Sequence, residues 1–296
     1  MIQGVRHTLH PTTYPPLLRL MTIDSHQHFW HYELPKHDWI DDDMAAIRRD
    51  FTPDDLRPIL DANGVDGCVA VQADQTRAET DFLLDLAATH DWIRGVVGWI
   101  DLRAPDLEAQ LDEFEDRRAA LVGWRHVVQG EPDPYFLLRP DFLRGIEAIG
   151  RRGYVYDILI FPHQLVSALE LAKRCPEVSF VLDHLAKPYA RDGYFDGWAA
   201  GLSALAQQPN VSCKLSGLIT EADYDNWTEE QLLPYLRHAL EAFGPGRCLF
   251  GSDWPVLRVA GDYGRMKALL ERAIVDLDPA ERAAVMGGNC ARVYGL

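Results

Sequence analysis

The sequence predicts an α/β fold, a single-domain (β/α)8 barrel of the TIM type spanning residues 21–296. Three observations lead there. From Thr22 onward, short β-branched runs alternate with amphipathic stretches, the sign of a parallel sheet with helical crossovers. The alternation runs through eight pairs, the number that closes a barrel. No G-x-G-x-x-G follows any strand, so the rival open doubly wound sheet lacks its usual dinucleotide turn.

The first strand is expected over 22–29, and its helix over 54–63, where Thr52-Pro53 supplies a cap and a first-turn proline and Gly64 a stop. The next pairs are 67–73 with 79–90 and 94–101 with 106–118. A fourth strand over 121–129 runs into 130–140, whose three prolines suit neither strand nor helix and imply a loop over the barrel mouth. Helix 142–151 follows and ends near Gly153, then strand 154–161 with helix 165–175 and strand 179–184 with helix 198–207. Strand 211–217 pairs with helix 228–243, which Gly244 stops, and strand 248–255 with helix 262–273; Asp278-Pro279 opens one more helix.

A chain of 296 residues, 47% hydrophobic and 25% charged, has material for a large core. Its net charge of -16 argues against nucleic acid or an anionic membrane as partner, since both require basic patches. No stretch approaches the ~20 apolar residues of a membrane span. Cys68, Cys175, Cys213, Cys248 and Cys290 are odd in number and contain no C-x-x-C pair, so they read as reduced thiols of a cytoplasmic protein. Residues 1–20 lack the apolar core of a secretory signal and read as a loose tail ahead of a start at Met21. Oligomeric state is left open, a homo-oligomer included.

In a barrel the strand ends carry the chemistry, because strand middles must fill the lumen. Asp24-Ser25-His26-Gln27-His28 ends the first strand, and residues two apart on a strand share a face, so both imidazoles can converge on one ion or one carbonyl oxygen. Counting by two puts Phe180, Leu182 and His184 on one face of the sixth strand, and Leu249, Gly251 and Asp253 on one face of the eighth. If those faces look inward, three histidines and an aspartate meet at the mouth. That set suffices for two mechanisms. In one, His26, His28, His184 and Asp253 bind a single Zn²⁺ that activates water. In the other there is no metal: the imidazoles polarise a carbonyl and Asp253 takes the proton of the attacking water. No organic cofactor is implied. Serine and cysteine nucleophiles are disfavoured by the lack of G-x-S-x-G and of a cysteine at a strand-to-helix turn.

The H-x-H, the sixth-strand histidine, Gly251-Ser252-Asp253-Trp254-Pro255 and the closing Gly288-Asn289-Cys290-Ala291-Arg292-Val293-Tyr294 resemble the amidohydrolase superfamily. Asp24-Ser25-His26-Gln27-His28-Phe29-Trp30, Gly123-Trp124-Arg125-His126 and Phe250-Gly251-Ser252-Asp253-Trp254-Pro255 are similar to its sugar lactonase branch of L-fuconolactonases and L-rhamnonolactonases. The resemblance implies hydrolysis of a sugar-acid lactone, with Asp253 activating water and His26, His28 and His184 around the carbonyl or one metal. The fifth strand, Tyr154-Val155-Tyr156-Asp157-Ile158-Leu159-Ile160-Phe161, offers no lysine, glutamate or histidine, and His163 beyond it reads as a loop residue, so a bridged two-metal centre is not expected. The superfamily also leaves a metal-dependent decarboxylase as a rival, and a non-catalytic ligand-binding barrel is a second.

The remaining candidates each have a plainer reading. Arg125 could grip a substrate oxygen or simply form an ion pair. His126 should face away from it on a regular strand. Lys214 and Asp157 read as a buried ion pair in the lumen, with a proton shuttle as the alternative. Of the tryptophans near strand ends, Trp30 and Trp254 adjoin His28 and Asp253 and are the candidates for contact with a sugar ring. Lys187 reads as a solvated loop lysine.

Overall fold

The computed structural model describes residues 21–296, so the tail expected over 1–20 lies outside the described residues. Eight strands, β1 (Ile23–Gln27), β2 (Gly67–Val71), β3 (Ile93–Gly98), β4 (Leu121–Val127), β5 (Val155–Leu159), β6 (Phe180–Leu182), β7 (Val211–Leu215) and β8 (Cys248–Phe250), pair in parallel in chain order. The ends of β1 and β8 meet through His28 N donating to Trp254 O (2.7 Å) and Asp253 N donating to His26 O (2.8 Å). The ring so formed is the expected (β/α)8 barrel. Its crossovers are α1 (Pro53–Ala62), α2 (Arg77–Thr89), α3 (Leu107–Asp112), α4 (Pro140–Arg151), α5 (Leu165–Arg174), α6 (Asp196–Ala206) and α7 (Glu229–Phe243), and α8 (Tyr263–Ala273), α9 (Pro279–Ala283) and α10 (Asn289–Tyr294) follow β8.

Local chemistry explains the helix starts. At α1, Asp55 Oδ2 accepts from both Thr52 N (2.9 Å) and the Thr52 hydroxyl (3.0 Å), and before α9 Asp278 and Glu281 cap one another's backbone reciprocally. The single helix expected over 106–118 is instead broken: α3 stops at Asp112 and Glu115–Arg117 forms a 3-10 turn. Between them Phe114 turns inward and packs edge-on against Trp124, ring centroids 5.4 Å apart, so tertiary burial overrides helical continuation.

Two apolar layers result. The larger lies between strands and helices; the smaller fills the lumen with Ile23, Val69, Val71, Val97, Val122, Val155, Val181 and Leu249, closed from below by Cys290 and Tyr294 of α10. All five cysteines are buried and free, serving as small apolar groups. Among the described residues no helix is long and apolar enough to cross a membrane.

Candidate active site

Strand phase at the mouth is not regular, and its irregularities build the site. In β1, Ile23 faces the lumen, yet so do His26 and His28, because the register shifts between Asp24 and Gln27. Asp24 holds this bulge by accepting from His26 N (3.1 Å), Ser252 N (2.9 Å) and the Tyr263 hydroxyl (2.9 Å). In β6 the expectation that Phe180 and Leu182 share an inward face with His184 is corrected: both pack outward against the helices, and Val181 is the lumen residue. His184 reaches the mouth because the chain turns left-handed after β6, with His184, Leu185, Ala186 and Lys187 at φ 52, 55, 58 and 49. Backbone strain of about 1–3 kcal/mol per residue is characteristic of functional sites. Two bonds hold the run, Lys187 N to His184 O (2.8 Å) and Trp198 Nε1 to Leu185 O (2.7 Å). In consequence Asp183 and His184, adjacent in sequence, both face the site.

Asp253 (φ 62) stands at the centre. Its Oδ1 lies 3.4 Å from His28 Nε2 and 3.8 Å from both His26 Nε2 and His184 Nε2. Burial opposes its ionisation, but the facing His184, His28 and His26 hold the carboxyl below the usual carboxylate range. Burial pushes His184 down to about 4 against the pull of Asp253 and Asp183, and it lowers His26 as well, so both rings are neutral at pH 7. His28 Nδ1 donates to Val71 O at 2.7 Å, and His184 Nδ1 meets Ser216 Oγ at 2.9 Å. Those outer partners orient the rings as they orient histidines in known catalytic and metal sites.

Beneath the histidines runs a buried polar chain. Arg125 Nη1 donates to Asp183 Oδ2 (3.0 Å), Lys214 Nζ lies 3.0 Å from Asp183 Oδ1, and Lys214 also pairs with Asp157, which accepts from the Tyr294 hydroxyl (2.8 Å). Lys214, Asp157 and Asp183 are wholly buried. Burial would raise the Asp183 carboxyl, but Lys214, His26 and Arg125 hold it well below its ordinary range, whereas burial prevails at Asp157 and lifts it to about 6.

A cavity of ≈ 330 Å³ opens over Asp253, His28 and His184, in the ~300–1,000 Å³ range of small-molecule sites. Arg125 lines it, with Nε free of any partner among the described residues. Several sequence candidates stand elsewhere. His126 points outward, stacked on Phe136 and bonded to Glu131 (2.7 Å), as regular alternation requires. Lys214 and Asp157 sit below the histidines, out of reach of the cavity. Trp30 and Trp254 are wholly buried against Phe51 and do not line it, because the bulge and the β8 turn direct these large rings into the outer core. Exposed His163 lies at a 3-10 turn, outside the cavity. The segment 130–140 does not line the cavity either; Phe136 and Leu137 fold into the core, and the loop after β1 contributes Lys36, Asp38 and Trp39 in its place. Lys187, read as solvated, instead lines the wall and pairs with Glu221 at 3.0 Å. Lys36 escaped sequence reasoning, and Trp39 and Lys187 were set aside by it, because loop residues have no periodicity to count. Asp183 escaped because counting by two from His184 leaves it on the opposite face of a regular strand.

Donor atoms of His26, His28 and Asp253 lie within 4.8 Å of one another, and so do those of His26, Asp183 and His184. The first group, two imidazole nitrogens 3.2 Å apart with a carboxylate, fits one divalent ion. An eight-stranded parallel barrel with histidines and an aspartate converging at its C-terminal mouth defines a hydrolase-type site of the amidohydrolase kind. The chain belongs to the amidohydrolase family, whose profile it matches over residues 23–296. It is 43% identical over 290 residues to an L-fucono-1,5-lactonase of Burkholderia multivorans, covering 93% of this chain and 96% of the relative. An L-fucono-1,5-lactonase of Burkholderia ambifaria is 38% identical over 281 residues, with 93% and 95% covered. The crystal structure of a Burkholderia multivorans amidohydrolase with bound zinc superposes with a TM-score of 0.90 at 42% identity, covering 93% and 99%.

Proposed function

We propose that this protein hydrolyses a sugar-acid lactone to the open hydroxy acid, with Asp253 as general base. The observation that carries the reading is the buried Asp253 carboxylate, ringed by three imidazoles on the floor of a cavity that Arg125 and Lys187 also line. A water bonded to Asp253 loses its proton to the carboxylate as its oxygen attacks the lactone carbonyl. The carbonyl oxygen gains negative charge in a site walled by N–H donors and by Arg125, where desolvation makes each such contact strong. Collapse of the tetrahedral intermediate breaks the bond to the ring oxygen, and protonated Asp253 returns its proton there. Zinc held by His26, His28 and Asp253 would supply a Lewis acid for the same carbonyl.

Arg125 in the cavity wall and the mixed acidic and basic rim of Lys36, Asp38 and Asp74 suit a polyhydroxylated neutral ring. The relatives named L-fucono-1,5-lactonases make L-fucono-1,5-lactone the first substrate to try, followed by L-rhamnonolactone and other five- and six-membered aldonolactones. A pH-indicator assay on metal-stripped and zinc-reconstituted protein tests the reading. The expected result is hydrolysis that falls by about 10²–10⁴-fold in Asp253→Asn. No hydrolysis of any lactone by either form of the wild type refutes it, and CO₂ release from an aromatic acid would replace it with the decarboxylase rival.

A further inference from the structure

Two lysines and an arginine, Lys36, Lys187 and Arg125, line the cavity, and each is paired with a carboxylate that does not border it. Glu79 Oε2 lies 2.8 Å from Lys36 Nζ, Asp183 Oδ2 accepts from Arg125 Nη1 at 3.0 Å, and Glu221 Oε1 lies 3.0 Å from Lys187 Nζ. Glu79 and Asp183 are wholly buried, and the Glu221 side chain is 14% exposed. These carboxylates come from three separate segments: α2, the left-handed run after β6, and the 3-10 turn Ile219–Glu221 after β7. The pattern is therefore a property of the wall and not of one local motif.

Pairing from behind leaves donors in place but cancels charge. An ammonium has three N–H groups, so a single carboxylate does not exhaust it, and the remainder are open to ligand oxygens. The cavity wall adds three carboxylates of its own, Asp38, Asp74 and Asp253. A neutral hydroxyl accepts an N–H whatever the surrounding charge. An entering carboxylate would have to compete with Glu79, Asp183 or Glu221 for its cation while facing Asp38 and Asp74, and like charges set side by side oppose binding.

We infer that this wall selects by charge, admitting neutral lactones and rejecting carboxylates, both lactones that carry a free acid and the aldonate that ring opening yields. Glu79 and Glu221 are then specificity-determining residues, although neither borders the cavity. Ring opening turns a neutral ligand into an acid that gives its proton to solvent at pH 7, so the wall that admits the substrate also expels the product. The identity of the lactone rests on the proposed function; the charge preference of the wall is measurable without turnover.

The test is calorimetric titration of metal-free protein with sodium L-fuconate, the anion that L-fucono-1,5-lactone would release. Wild type should bind it more weakly than about 1 mM. Glu221→Gln and Glu79→Gln should each bind it about 10-fold more tightly, because each removes one nearby negative charge. Adding Lys187→Met to Glu221→Gln should abolish that gain, since the uncompensated ammonium is its source. In turnover, the product inhibition constant of Glu221→Gln should fall about 10-fold relative to KM, whereas a merely structural role of Glu221 would move the two together. Wild type that binds L-fuconate as tightly as the lactone overturns the inference, as do folded Glu→Gln variants with unchanged affinity. Should buried Glu79→Gln not fold, the partly exposed Glu221→Gln decides. If no lactone reacts, the proposed function fails while the titration still decides the charge preference, so the two readings fail separately.

Discussion

Folding takes the His184 imidazole from an ordinary value of 6.5 down to about 4, because burial disfavours its charged form more than Asp253 and Asp183 favour it. An unfolded chain therefore takes up this proton at a pH where the folded chain refuses it. The resulting stabilisation is complete above 6.5 and is lost as pH falls toward about 4, a loss of about 3 kcal/mol for this ring alone. His26, lowered by burial, acts in the same direction, and Asp253, a carboxyl held low, adds its own loss at still lower pH. The thermal midpoint is thus expected to drop steeply between pH 6.5 and about 4, and to drop less in His184→Asn. Calorimetry across that window checks this, and a wild-type midpoint independent of pH there would contradict it.

The end of β6 and the end of β7 form one mechanical element. Gly217 follows β7 at φ +63, and a Cβ built there would overlap His184 Nδ1 and come within 3.1 Å of Asp253 Oδ2. Positive φ alone would cost an alanine only about 1–2 kcal/mol. The collision matters more, because a ring displaced by about 1 Å costs on the order of 10²-fold in rate. Gly217→Ala is therefore expected to lower kcat by about 100-fold in a folded protein with near-native circular dichroism. Activity within a few-fold of wild type would mean that the His184 position is not critical. The same element shows what could be read from residue order. Strict alternation sufficed on β7, where Lys214 points into the lumen between outward Cys213 and Leu215, and on β8, where Leu249 and Asp253 share a face. It failed on β6, since a left-handed run of four non-glycine residues leaves no signature in composition or period. His26 and His28 were legible from their two-residue spacing and Asp253 from counting along β8, whereas His184 was legible only from its place at a strand end, since the alternation that aimed it inward does not hold there. The loop residues that shape the cavity, Lys36, Trp39 and Lys187, depend on tertiary packing that no local pattern encodes.

Across the whole barrel, one line of polar groups runs from the closed bottom to the open mouth: Tyr294 of α10, Asp157 of β5, Lys214 of β7, Asp183 after β6, Arg125 of β4 and His26 of β1. Two cations and two carboxylates balance, so a lumen that could not hold a lone charge holds four. Such a line ties the last helix to the site, because the Tyr294 hydroxyl donates to both oxygens of Asp157 at 2.8 and 2.9 Å. Removing that donor leaves a buried carboxylate with Lys214 as its sole partner among those contacts, and an unsatisfied buried acceptor costs about 1–3 kcal/mol. Tyr294→Phe is accordingly expected to lower the thermal midpoint by roughly 2–10 °C. Because Tyr294 plugs the lumen from below and does not line the cavity, KM for the lactone should not change. Differential scanning calorimetry with steady-state kinetics on the same preparation measures both. A full-stability variant would show that Asp157 is satisfied by Lys214 alone, whereas a raised KM would show that the C-terminal helix reaches the substrate through the charged line.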